Sequence, residues 1–239
     1  MERKAEYCLT QIFHYLVNGL AAIVFFCCIA YSGYALWDNW SILKEPDQVR
    51  EDLIRYKPAN EEELSYSFQE LKAMNPDVCG WLTLDHTKID YPVVQGTDNF
   101  EYLEKDVLGN PSVAGSIFLD KDNSPDFTNR KTILYGHNMK DGSMFQGLHK
   151  YESESYLQEH NKVYLYLPDG EALTYTVIKC GYVKADSDTF WLGEQVETRT
   201  LLLSTCGSDS SKRLVLFCEL PEKGEESETN GEDISIEVL

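Results

Sequence analysis

Residues 200–220 read TLLLSTCGSDSSKRLVLFCEL, and the reading of this stretch decides how the chain is built. An apolar run (Leu201, Leu202, Leu203) stops at Ser204-Thr205-Cys206. A Gly/Ser/Asp loop follows, and Arg213 opens a second apolar run through Leu214, Val215, Leu216 and Phe217. Short apolar runs bounded by turn residues read as buried strands. Cys206 is therefore expected at the exit of one strand and Arg213 at the entry of the next. Two stiff elements and a short loop would hold a thiol and a guanidinium near each other, which keeps a nucleophile and an anion stabiliser in register. Taken alone, the same residues also fit a buried structural cysteine and a surface arginine, because free Cys is among the most buried residue types.

Upstream, the chain from Pro76 onward alternates short strand-like runs with turns. Residues 80–84, 89–94, 116–119, 131–135, 163–167 and 173–183 join the two runs above as expected strands. Pro168-Asp169-Gly170 is a turn signal, so residues 163–183 read as a hairpin. About eight strands at this spacing predict a closed barrel or a sandwich, and closure also removes exposed edges. Before this body, Asn60 and Glu63 resemble a capping box, and Leu64, Phe68 and Leu71 share one helical face expected to pack on the domain. That helix should end at Asn75-Pro76, since proline disfavours helix in the residue before it. Residues 38–56, with charges, isolated apolar side chains and Pro46, read as a stalk leading to one or two short helices.

No residue from Tyr7 to Trp37 carries a full charge, and residues 16–36 suffice to cross about 30 Å of hydrocarbon as a helix. Arg3 and Lys4 precede this span and Asp38 follows it, which favours an inside N-terminus and an extracytoplasmic body. Ala30-Tyr31-Ser32 loosely matches a signal-peptidase site, so a cleaved signal is the competing reading, although the apolar span exceeds a signal h-region. The expected division is thus an N-terminus with membrane anchor (1–37), a linker with helices (38–75), a β-barrel (76–221) and an acidic tail (222–239). The chain's 239 residues allow one good-sized domain plus such appendages. The net charge of −19 argues against nucleic acid, because no basic patch exists to displace counterions. The tail contributes seven acidic residues against the single Lys223 and reads as solvated. The seven cysteines lack C-x-x-C spacing, so no zinc site is expected; Cys180 and Cys218 read as packing residues within strands.

Among five histidines, His137 stands out: it follows the apolar run 132–135 and Gly136, hence a strand exit. A thiol of pKa about 8.5 is only a few per cent thiolate at neutral pH, and a neighbouring imidazolium or guanidinium raises that fraction. A strand-exit His, a strand-exit Cys and a strand-entry Arg can form a nucleophilic site. The imidazole would exchange protons with leaving and incoming amines, and the guanidinium would stabilise the oxyanion, a task worth about 3 kcal/mol. His137 also fits a satisfied histidine in a tight turn.

Four blocks add a resemblance: NPDVCGWLTLDHTKIDYPVVQGTDNFEYL (75–103), GSIFLD (115–120), ILYGHNMKDGSMFQGL (133–148) and LLLSTCGSDSSKRLVLF (201–217). Together they resemble the class B sortases, cysteine transpeptidases of Gram-positive cell surfaces. The resemblance implies a mainly β fold, an eight-stranded sortase-type β-barrel with N-terminal helices preceded by a single transmembrane helix. It implies Cys206 as acyl-thioester nucleophile, His137 as general acid/base, and Arg213 as transition-state stabiliser and substrate clamp. Asn99 matches a position near the family's site, and Ser204 and Thr205 belong to its motif; Thr205 would line the groove or simply end the strand. The implied partners are surface proteins bearing a C-terminal sorting signal, cleaved after a Thr, and an amine on a peptidoglycan precursor or, alternatively, a pilin lysine. No cofactor and no metal are implied. A membrane-anchored cysteine peptidase with water as acceptor and a non-catalytic wall-binding barrel are the other classes the residues allow. One departure stands out: class B sortases usually carry a long, helix-bearing insertion before the cysteine strand, and here only residues 184–199 are available. Phe190, Trp191 and Leu192 within it would contact substrate or tuck the loop onto the barrel.

Overall fold

The computed structural model describes residues 2–57, 61–186, 198–206 and 211–221, with Cys206 placed by its backbone. The Asn60–Glu63 capping box, the loop residues Phe190, Trp191 and Leu192, and the acidic tail lie outside what is described there. The chain divides into two units, Met1–Lys44 and Glu45–Leu239. The first is helical and contains an apolar stretch, Gln11–Asp38, of mean hydropathy 2.1 with none of its most apolar window buried in protein. That stretch is long and apolar enough to cross a membrane.

In the second unit the helical backbone of α1 (Glu2–Leu53) ends and a 3-10 turn follows at Ile54–Tyr56. The stalk is therefore helical through Pro46 rather than broken into short pieces. A helix pairs its own peptide groups, so a polar, charged sequence does not by itself end it; a proline removes one bond and presses on the carbonyl four residues back, a cost of about 3 kcal/mol that does not end this 52-residue helix. Helix α2 (Glu61–Met74) stops where Asn75-Pro76 predicted, and its Phe68 and Leu71 are buried.

Eight strands close into a barrel: β1 (Val78–Leu84), β2 (Asp90–Val94), β3 (Ile117–Leu119), β4 (Lys131–His137), β5 (Lys162–Tyr166), β6 (Ala172–Lys184), β7 (Thr200–Cys206) and β8 (Lys212–Glu219). Their order around the barrel is β1-β2-β3-β4-β7-β8-β6-β5. Two pairings are parallel, β2 with β3 and β4 with β7; the others are antiparallel. The expected hairpin is β5–β6, joined by the Pro168-Asp169-Gly170 turn, with Gly170 at φ +96° where a Cβ would be strained. All eight expected strands are present, with ends shifted by one to a few residues.

Period-two alternation sorts the side chains into two faces. Leu82, Leu84, Leu134, Val163, Leu165, Leu201, Leu203, Leu214 and Leu216 fill the barrel interior. Outside β1–β3, the end of α1 and helix α2 lay Leu53, Phe68 and Leu71 against Val78, Trp81, Val94 and Phe118. This double cover explains why β1 is buried at every position and shows no alternation of apolar and exposed polar residues. The buried Trp81 indole donates its Nε1–H to Asp90 at 2.7 Å, and Asp90 also accepts from Thr83 Oγ1 at 2.9 Å and pairs with Lys57 at 3.0 Å.

Asp90→Ala leaves the Trp81 N–H unsatisfied under the helical cover. The expected loss is about 1–3 kcal/mol, read as a lower urea midpoint at unchanged slope; an unchanged midpoint would contradict this role.

Candidate active site

β4 and β7 run side by side in register from Lys131↔Thr200 to His137↔Cys206, so each ends on a candidate catalytic residue. Adjacent strands lie about 4.8 Å apart, which puts the His137 and Cys206 backbones at contact distance. Antiparallel β7–β8 pairing reaches Ser204↔Val215, and the same register carried two residues on sets Cys206 opposite Arg213. Arg213 itself pairs with Val183 of β6 and is half-buried. The positions of His137, Cys206 and Arg213 share the face opposite the barrel interior. On that face Ile133, Leu202 and Val215 form a buried apolar patch flanked by Tyr135, Val183 and Phe217.

The strand end is shaped by its neighbours. At Gly136, just before His137, a Cβ would stand 2.5 Å from Ile117 Cδ1 and 2.9 Å from the Phe145 ring, so only glycine lets β4 pack there. His137 Nε2 lies 2.8 Å from the Leu103 carbonyl oxygen. A carbonyl only accepts, so Nε2 carries the proton and donates. Leu103 ends a 3-10 turn (Glu101–Leu103) whose Tyr102 is anchored below: its hydroxyl accepts from Asn75 at 2.8 Å and donates to Asp77 at 2.7 Å. Burial pushes the Tyr102 phenol up to about 12, so it remains a donor at neutral pH.

The expected supporting residues fall in different places. Asn99 donates to Asp120 at 2.9 Å and accepts from the Lys121 N–H at 2.8 Å; Asp120 also accepts from Tyr135 Oη at 2.9 Å. Asn99 thus braces Tyr135, two residues before His137 on the same face, and does not bond His137 itself. Ser204 is buried on that face, and its Oγ has no hydrogen-bond partner among the described residues. Thr205 occupies an interior-facing position, is buried, and accepts from the Leu214 N–H at 3.3 Å. It ties β7 to β8 one residue before the end of β7, from the face opposite the one that His137 and Cys206 share. The Leu103 carbonyl and Tyr135 were not singled out from sequence; a backbone acceptor leaves no residue-type signal.

The other thiols of the barrel are poor nucleophiles. Burial pushes Cys79 and Cys180 up to about 12 and raises Cys218 as well. Groups with such pKa values hold almost no thiolate at neutral pH. Cys27 and Cys28 lie in the apolar span of α1.

Residues 82–221 match the family described as Sortase domain, which covers more than half of the chain. The chain belongs to the sortase family. Within it the relatives point to class B. Sortase B of Staphylococcus aureus is 30% identical over 188 residues, 67% of this chain and 77% of that protein. Sortase B of Listeria monocytogenes is 45% identical over 98 residues, 41% of this chain and 40% of that protein's length. The crystal structure of sortase B from B. anthracis in complex with AAEK1 superimposes with a TM-score of 0.62 at 30% identity, covering 77% of this chain and 98% of that one. The chain is accordingly a class B sortase with the eight-stranded barrel of that family, a sortase-type transpeptidase.

Brief treatment of the folded sortase chain with iodoacetamide at neutral pH should modify Cys206 and spare Cys79 and Cys218, as read by peptide mapping. Equal modification of the two buried thiols in folded protein would contradict the assignment of reactivity.

Proposed function

We propose that this sortase uses Cys206 as nucleophile, His137 as general acid/base and Arg213 as oxyanion stabiliser. The observation that carries the reading is the backbone register that ends β4 and β7 on His137 and Cys206 and brings Arg213 to the entry of β8. In the cycle, His137 takes the Cys206 thiol proton as the sulfur attacks the carbonyl carbon of a peptide bond that follows a Thr, and the carbonyl π electrons move onto oxygen. The guanidinium stabilises that oxyanion. As the oxyanion collapses, the C–N bond breaks and His137 protonates the departing amine. The thioester is then attacked by an incoming amine, whose proton passes to His137. A new amide forms, the sulfur leaves as thiolate, and His137 returns the proton to it. One amide replaces another, so the sequence needs no redox partner.

The substrates are surface proteins carrying a C-terminal sorting signal, and the acceptor is an amine on a peptidoglycan precursor. The apolar stretch Gln11–Asp38, with Arg3 and Lys4 before it, supports a single-pass anchor with the barrel on the outer face of the membrane. Hydrolysis by the same residues, with water as acceptor, is the competing chemistry.

The full-length chain in detergent, given a library of labelled threonine-containing peptides and hydroxylamine, should yield hydroxamate product. Cys206→Ala and His137→Ala should each lower turnover by at least about 1,000-fold while leaving thermal unfolding unchanged. Carboxylic acid as sole product across all amine concentrations would identify a peptidase, and wild-type turnover by Cys206→Ala would overturn the nucleophile.

A further inference from the structure

The carbonyl that holds the His137 ring is itself held by a position that tolerates no side chain. Residues 112–116 fold back over residues 102–105. The Ser112 N–H donates to Glu104 O at 2.9 Å, the Ser116 N–H donates to Tyr102 O at 3.0 Å, and Ser116 Oγ donates to Lys105 O at 2.8 Å. Gly115 makes the closest pass in the left-handed region, at φ +59°. A Cβ there would stand 2.4 Å from Leu103 O, 2.7 Å from Tyr102 O and 2.9 Å from Leu103 C. All three are backbone atoms, so nothing can rotate out of the way. From the other side, Tyr102 is fixed by Asn75 and Asp77. The Leu103 carbonyl is gripped between the two, and its oxygen is the acceptor for His137 Nε2.

We propose that Gly115 is a positioning residue for His137: by seating the Leu103 carbonyl against Nε2–H, it makes Nδ1 the ring nitrogen that takes up and returns the proton during transfer. The hydrogen bond made by one imidazole nitrogen sets the tautomer and the direction of the other. A ring free to turn would present either nitrogen, and a displacement of about 1 Å at a reacting group costs on the order of 100-fold in rate. The inference rests on the acid/base reading of His137 given above.

Gly109 supplies an internal control. It lies in the same loop at φ +83°, yet a Cβ there meets nothing within 4 Å. Gly109→Ala therefore adds the backbone strain of a left-handed alanine without touching Leu103.

The test uses the full-length chain in detergent, 15N-labelled at histidine, with the threonine peptide selected from the library and hydroxylamine as acceptor. In the wild-type protein, long-range 1H–15N spectra should show neutral His137 protonated at Nε2. Gly115→Ala should mix the two tautomers and lower kcat about 10- to 100-fold with KM within about twofold. Gly109→Ala should leave both the spectrum and kcat near wild type. The inference is overturned by a folded Gly115→Ala protein with unchanged kcat and tautomer, or by equal kcat losses in the two glycine variants. Should Gly115→Ala fail to fold, the wild-type spectrum decides alone: a predominantly Nδ1–H ring excludes the Leu103 bond and the proposal with it. His137→Ala separates this claim from the one beneath it. Wild-type turnover in that variant removes the acid/base reading altogether, whereas its loss beside an unaffected Gly115→Ala removes only the role of Gly115.

Discussion

Parallel pairing of β4 with β7 is the constraint on which the candidate site depends. The two strands run in register and end together, which sets His137 and Cys206 side by side although 68 residues separate them in sequence. Parallel neighbours cannot be joined by a tight turn, so a crossover of some length is obligatory. Here the chain uses it to build much of the barrel, passing through α3 (Glu154–Glu159), β5 and β6 before returning as β7. The antiparallel return into β8 then brings Arg213 to the same rim. Three chemically distinct groups are thereby placed by backbone ladders, which are far less yielding than surface loops.

The barrel also encloses sulfur that burial renders inert. Cys79 and Cys218 are enclosed, and desolvation penalises their thiolates; Cys206 occupies the last position of its strand, paired in register with His137. The outer face adjoining that rim is apolar, with Ile133, Leu202 and Val215 buried together. An apolar layer there lowers the local effective dielectric, which strengthens electrostatic interactions beside it.

Much of this was legible in the residue pattern because strands and turns are local features. The run ending at Cys206, the run opened by Arg213 and the Pro168-Asp169-Gly170 hairpin all occur where period and turn chemistry put them. The parallel neighbourhood of β4 and β7 was not readable from either strand, since pairing partners are chosen by closure of the whole sheet. The helical continuation through Pro46 was missed because charge and a single proline look like linker, while a helix is held by its own backbone bonds. Asn99 was assigned to the site by resemblance alone; its amide bonds Asp120, and its connection to His137 runs through Tyr135. The Leu103 carbonyl left no trace in the sequence at all, and Gly115 is one of fifteen glycines until the atoms its Cβ would meet are known.

The central claim is that sulfur at position 206 carries the acyl group. Intact-protein mass spectrometry of the full-length chain, quenched in acid during turnover of a threonine peptide without added amine, tests it most directly. The account predicts an adduct with the mass of the N-terminal peptide fragment, mapped to Cys206, released by hydroxylamine and lost in Cys206→Ala. Sustained cleavage with no such adduct, or with the adduct on another residue, would contradict it.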